Sequence, residues 1–322
     1  MRSALVMRCP LPRDTFLNAI PASRVPVANP ASIPARSPLR YPGGKTWLIP
    51  HVRQWLAETA SSTLVEPFAG GAGVSLTAVM ENLVKNCIMI EIDRDVAAFW
   101  HSALGNGAVL RHIVYWFDLT PERLSAVAES SPKTLTEHGF RTLVLNRTRY
   151  GGNLARRASF MRNGENGNGL ASRWYPKTLS KRLANIEAHS DRIVFMEGNA
   201  MEILPDLLRE LGRDAAVFLD PPYVCGGKRA GHRLYNHSEI DHATLFALLD
   251  ETGCNFLMTL EASPEAVELV TDHGFAAVRV KMKTGHHESA QELVITPSPL
   301  FEAGLGGTAA STREDRCRFE HS

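Results

Sequence analysis

In this 322-residue sequence the residues best suited to chemistry are Asp220-Pro221-Pro222-Tyr223. They follow an apolar run, Ala215 to Leu219, that reads as a strand, so they stand at the carboxyl end of a sheet, where open α/β proteins hold their ligands. Two prolines stiffen the segment and remove N–H donors. What remains is an acceptor set, the Asp220 carboxylate and the Pro221 carbonyl, with the Tyr223 ring able to lie against a planar base. That set suits an exocyclic amine. An aromatic amino nitrogen is a poor nucleophile because its lone pair is delocalised. Two acceptors on its N–H groups favour the localised form, and attack on a methyl sulfonium becomes feasible. A plain turn bounded by Asp and proline is the other reading of the same residues.

A second group lies upstream. Leu64-Val65-Glu66-Pro67-Phe68 reads as a short buried strand running into the glycine turn Gly70-Gly71-Ala72-Gly73, and Val74 to Lys85 as a helix. Backbone N–H groups and a helix start then lie where an anionic or carboxylate-bearing ligand can approach closely. A tight turn that needs glycine only for its dihedral freedom would look the same. The next unit repeats the pattern. Cys87 to Ile92 is a strand ending beside Glu91 and Asp93, and Asp95 to about Leu104 is helical. Glu91 falls about 20 residues after the glycine turn, where a carboxylate accepts ribose hydroxyls, which makes a nucleoside-containing cofactor the leading reading.

The elements that must position these groups form a split α/β pattern. Residues 105 to about 190 have mixed short segments and a Gly/Asn-rich loop from Asn163 to Gly169, which fits an insertion. Within it, Lys177 to Glu187 reads as an amphipathic helix whose Leu179, Leu183 and Ile186 pack the insert. Strand candidates then follow at Ile193–Met196, Ala215–Leu219, Asn255–Leu260, Ala276–Val280 and Glu292–Thr296. Helices are expected at Ile203–Leu211, Glu239–Glu251 and Pro264–His273. The boundaries expected are an extension at 1–36, a catalytic domain at 37–100 and 191–300, an insert at 101–190 and a tail at 301–322.

Composition sets the class. With 44% apolar and 21% charged residues the chain can bury a core, and its net charge of +1 excludes a uniformly basic surface. The distribution of charge is uneven, however. From Arg141 to Arg182 there are ten Lys or Arg against the single acid Glu165, a basic zone that can attract phosphate backbones or serve as an ordinary solvated face. Cys9, Cys87, Cys225, Cys254 and Cys317 form no Cys-x-x-Cys pair or zinc-ligand spacing, so no metal site is expected and a reducing compartment fits. No apolar run reaches the length needed to cross a bilayer, which makes the cytoplasm the expected location.

Three segments in order, Leu39-Arg40-Tyr41-Pro42-Gly43-Gly44-Lys45, Glu66 to Gly73 and Asp220 to Tyr223, resemble the S-adenosylmethionine-dependent DNA adenine-N6 methyltransferases of the Dam-like D12 class. The resemblance spans about Ser37 to Thr296, with softer matches at Asn146 to Tyr150, Asp241-His242 and Gln291-Glu292-Leu293. It implies a Rossmann-like methyltransferase sheet with helices on both faces and an inserted target-recognition domain. It also implies S-adenosyl-L-methionine as cofactor, double-stranded DNA as partner, and a restriction endonuclease as a candidate companion.

Carried over by position, the catalytic residues are Asp220, Pro221, Pro222 and Tyr223. Tyr41, Gly44, Lys45, Glu66, Phe68, Gly70, Gly71, Glu91, Asn199 and Asp220 are expected to line the cofactor. Asn199 stands where the family usually has an acid, and its amide oxygen could accept the cofactor's adenine amine without charge assistance. Ala72 replaces a common glycine, and Gly73 after it is expected to restore the freedom. Arg147, Arg149, Arg156, Arg157 and Arg162 in the insert, and Lys228 and Arg229 after the catalytic segment, are the candidate DNA contacts. The resemblance implies that an adenine is extruded from the duplex and its N6 methylated. The rival readings are a cytosine-N4 methyltransferase, an inactive DNA-binding relative and, from the glycine turn alone, a nicotinamide dehydrogenase.

Overall fold

The computed structural model describes residues 20–23, 29, 32–40, 44–154, 158–161, 163–164, 167–222, 240–283 and 289–300. In chain order the elements are α1 (Ile49–Thr59), β1 (Thr63–Glu66), α2 (Gly73–Met80), β2 (Asn86–Glu91) and α3 (Arg94–Gly105). The helices α4 (Gly107–Trp116), α5 (Pro121–Glu129), α6 (Leu135–Thr148) and α7 (Pro176–Glu187) follow. The chain then runs through β3 (Ile193–Glu197), α8 (Ala200–Leu211), β4 (Ala215–Leu219), α9 (His242–Thr252), β5 (Asn255–Glu261), α10 (Pro264–Asp272), β6 (Ala276–Lys283) and β7 (Ser289–Thr296). Among the described residues the strands form one seven-stranded sheet in the order β3-β2-β1-β4-β5-β7-β6. The first five in that order are parallel, and β7 runs antiparallel to both β5 and β6.

Period-2 alternation divides the sheet between two apolar layers. Leu64, Cys87, Met89, Ala216, Phe218 and Leu257 face the layer formed with α1, α2 and α3. Val65, Ala215, Val217, Leu219, Phe256 and Met258 face α8, α9 and α10. The sheet is therefore covered on both faces, which is why its central strands read as unbroken apolar runs. The chain winds outward from β1 through β2 to β3, then returns to place β4 on the other side of β1. That reversal between β1 and β4 is the topological switch point, the crevice where such sheets hold ligands.

The insert is more regular than its sequence suggests: α4, α5, α6 and α7 are helices, and Leu110, Val114, Leu124, Leu143, Leu179 and Ile186 join the apolar layer over the first sheet face. Periodicity concealed α6 because nearly every residue from Thr142 to Thr148 is buried, including Asn146 and Arg147, so no polar face alternates with an apolar one. The helix expected over Val74–Lys85 ends at Met80. Asn82 takes a left-handed φ of 55°, and the Glu81 carboxylate is held by Arg53 and Arg36 at 2.7 Å each. Residues 20–23 run beside β6: the Arg279 N–H donates to the Pro21 carbonyl at 2.7 Å, and the Ser23 N–H to the Arg279 carbonyl at 2.8 Å.

Candidate active site

The strand alternation that sorts the apolar residues also sorts the acids. Glu66 ends β1, Glu91 ends β2 and Asp220 follows β4, each in step with the residues facing the first layer. Three carboxylates from adjacent parallel strands thus converge on one side of the switch point. Glu66 is buried and accepts the Ser75 N–H at 2.9 Å. Burial drives its carboxyl up to about 8, opposed by the hydrogen bonds from Ser75 and reinforced by the charges of Asp220 and Glu91. Burial likewise lifts Glu91 to about 7, against the pull of backbone N–H groups.

The glycine turn is clamped from both sides. Glu91 accepts the Gly70 N–H at 2.8 Å and the Asp93 N–H at 2.9 Å, and the indole of Trp100 donates to the Gly70 carbonyl at 2.9 Å. Gly70 takes a φ of 47°, which favours glycine. Gly73 does not relieve its neighbour. It is the first residue of α2, and Ala72 itself takes the left-handed conformation at φ 48°, a strain of about 1 kcal/mol for a residue with a Cβ. Gly71 lies in the same turn, and Phe68, half-buried, packs against the opposite apolar layer.

Lys45 reaches the Asp-Pro-Pro segment after β4. Its side chain is 3% exposed, and its Nζ lies 2.9 Å from Asp220 Oδ1 and 3.8 Å from Glu292 Oε1. Gly44 beside it is exposed. The Thr259 hydroxyl donates to the same Asp220 Oδ1 at 2.9 Å. Pro221 is buried, and the Pro222 carbonyl accepts from the His242 ring, whose pKa is lowered by burial. The segment before Lys45 is held by the insert: Asn146 Oδ1 accepts the Arg40 N–H at 2.7 Å, and Asn146 Nδ2 donates to the carbonyls of Arg40 at 2.7 Å and Gly152 at 2.8 Å.

Asn199 caps α8, its amide oxygen accepting the Met201 N–H at 3.0 Å while its Nδ2 donates to Glu202 at 3.0 Å. One lone pair of that oxygen caps its own helix. Arg147 and Arg149 do not present surface guanidiniums. Arg147 is 3% exposed, donates to the Arg173 carbonyl at 3.1 Å and stacks over Tyr175. Burial, with Arg40, Arg182 and Arg173 nearby, pushes its pKa down to about 10. Arg149 donates to the Leu154 carbonyl at 3.1 Å and lies over Phe160. Both brace the insert from within, held by carbonyls and aromatic rings from later segments of the insert. Tyr41, Arg156, Arg157, Arg162, Tyr223, Lys228 and Arg229 lie outside the described residues.

Residues 41–285 match the profile of the D12 class N6 adenine-specific DNA methyltransferases. The chain belongs to that family. No curated protein matches it. Among solved structures, an rRNA methyltransferase, AviRa, from Streptomyces viridochromogenes is similar at 13% identity, with 91% of this chain and 96% of that one covered and a TM-score of 0.37. TrmK from M. capricolum in complex with S-adenosyl-homocysteine is similar at 11% identity, with 77% and 71% covered and a TM-score of 0.33. As a D12 methyltransferase, this chain uses S-adenosyl-L-methionine as its methyl donor. The residues fit that cofactor. Glu66, Glu91 and Asp220 bring hydrogen-bond acceptors around the glycine turn, which the hydroxyl and ammonium donors of such a ligand complement, and a bound cation would favour ionisation of the two buried acids.

Sequence reasoning missed Trp100 and Thr259 as parts of this D12 site and gave no role to Glu292. Trp100 reads as one more apolar position of α3, and Thr259 as an ordinary β-branched strand residue; packing of α3 on the glycine turn gives the first its partner, and strand register the second. Among the described residues no helix is long and apolar enough to cross a membrane.

Proposed function

We propose that this methyltransferase modifies the N6 amine of adenine at specific sites in double-stranded DNA, acting on a base extruded from the helix. The observation that carries the reading is the place of Asp220: directly after β4 at the switch point, paired with buried Lys45 and close enough to raise the pKa of Glu66 beside the glycine turn.

S-adenosyl-L-methionine, when bound, supplies an electrophilic methyl group. Glu66, Glu91, Gly70 and Gly71 would hold it, and Lys45 supplies the cationic partner of Asp220. Asp220 and the Pro221 carbonyl accept the two N–H groups of the target amine, which localises its lone pair and aims it at the methyl group. The Asp220 carboxylate then stabilises positive charge as it develops on nitrogen while the sulfur–methyl bond breaks and S-adenosyl-homocysteine departs, and the proton passes to solvent afterwards. Tyr223 stacks on the extruded base. Extrusion costs a few kcal/mol, which contacts from the insert and the basic residues Arg156, Arg157, Arg162, Lys228 and Arg229 offset. A restriction endonuclease recognising the same site is the companion this chemistry suits.

The test is mass spectrometry of nucleosides from duplex DNA incubated with purified protein and S-adenosyl-L-methionine. N6-methyladenine is the expected product. N4-methylcytosine would move the substrate to the other exocyclic amine, and duplex binding without any methylated base would overturn the enzymatic reading.

A further inference from the structure

We infer that Thr259 is the positioning residue for Asp220, an assignment that rests on the adenine-N6 reading above and extends it to the neighbouring strand. β4 and β5 are parallel and in register through Leu219 and Met258, so one residue further along each strand sets Asp220 beside Thr259. Parallel neighbours in register point to the same face. Leu257, two residues before Thr259, faces the layer toward which Glu66 and Glu91 also point. The register thus delivers the hydroxyl to the carboxylate, and the distance is 2.9 Å to Oδ1.

The hydroxyl is costly where it stands. Thr259 is fully buried between Met258 and Leu260, a position valine would fill with the same shape and no polar atom to desolvate. Its alternative acceptor, the Leu219 carbonyl, lies at 3.4 Å, a poor bond beside the one to Asp220. Lys45 approaches the same Oδ1 at 2.9 Å and also lies 3.8 Å from Glu292. The two donors differ in kind. An ammonium on a flexible stem is a point charge that tolerates rotation of its partner, whereas a threonine hydroxyl on a strand has a stiff χ1 and a directed O–H. Lys45 supplies charge, and Thr259 fixes the plane of the carboxylate and hence the direction in which Asp220 accepts the target N–H.

The experiment compares Thr259→Val, which keeps the shape, with the pair Thr259→Ser and Thr259→Ala, which differ only in the hydroxyl, by kcat, KM for duplex DNA, dissociation constant for S-adenosyl-L-methionine and melting temperature. Valine and alanine are expected to lower kcat by about 10- to 100-fold, as for loss of a hydrogen bond to a charged group. KM and cofactor affinity stay within about twofold, and serine recovers most of kcat. A valine variant with wild-type kcat overturns the assignment. So does equal activity in the serine and alanine variants, which decides the matter even where valine does not fold. A wild-type protein that yields no N6-methyladenine overturns the function instead. Crystal structures of wild type and the alanine variant then settle the positioning role, which an unmoved Asp220 carboxylate would overturn.

Discussion

Glu66 is a buried acid whose ionisation this fold disfavours, and its titration is readable as stability. Burial raises its carboxyl from 4.5 to about 8, so the folded protein holds a proton that the unfolded chain has already released. Because the folded state binds more protons, unfolding free energy falls with rising pH. The contribution is fully present below the unfolded value and lost as pH climbs through the folded one. With those two values the loss between about pH 5 and pH 8 is on the order of 3 kcal/mol. Glu91, raised to about 7, acts in the same direction at somewhat lower pH.

Glu66→Gln keeps the shape and an acceptor for the Ser75 N–H but carries no charge. In urea unfolding followed by circular dichroism, the variant should match wild type or fall slightly below it near pH 5. Near pH 8 it should exceed wild type by about 3 kcal/mol. The same titration with saturating S-adenosyl-L-methionine should be shallower for wild type, since a bound cation favours the ionised acid. A wild-type stability that is flat or rising over this range, or a glutamine variant with the wild-type slope, would refute the buried-acid argument.

Lys45→Met leaves Asp220 and Glu292 without the ammonium that joins them, and should cost about 3 kcal/mol in denaturant unfolding together with most of kcat. A variant of unchanged stability would remove Lys45 from the centre of the charge network. Gly152 has a φ of 79°, and a Cβ there would lie 2.1 Å from the Arg40 carbonyl oxygen. Gly152→Ala should therefore lower stability by about 2 kcal/mol or more, and weaken cofactor binding measured by calorimetry through displacement of the segment before Lys45. Reversing charge at Arg156 and Arg157 should weaken duplex binding and flatten its dependence on salt, read from dissociation constants at several ionic strengths; an unchanged slope would exclude both as phosphate contacts.

Much of this site was legible without coordinates because its parts are local. A strand running into a glycine turn, an acid at the end of the next strand, and Asp-Pro-Pro-Tyr after an apolar run each declare a backbone shape and a set of acceptors within a few residues. The apolar runs of β4 and β5 were legible as strands for the same reason. Other features needed neighbours that are remote in sequence. Thr259 gains its meaning only when β5 lies in register with β4, and Trp100 only when α3 brings its indole to Gly70. The buried arginines at and just after the end of α6 mislead, since charge in a sequence carries no statement of exposure. Arg147 and Arg149 were turned inward by carbonyls and rings that the folded insert supplies. Composition and motif determined what chemistry this chain can do. Strand order, which sets β4 against β1, decided where the acids meet, because convergence of distant side chains is a property of packing and not of any local stretch of chain.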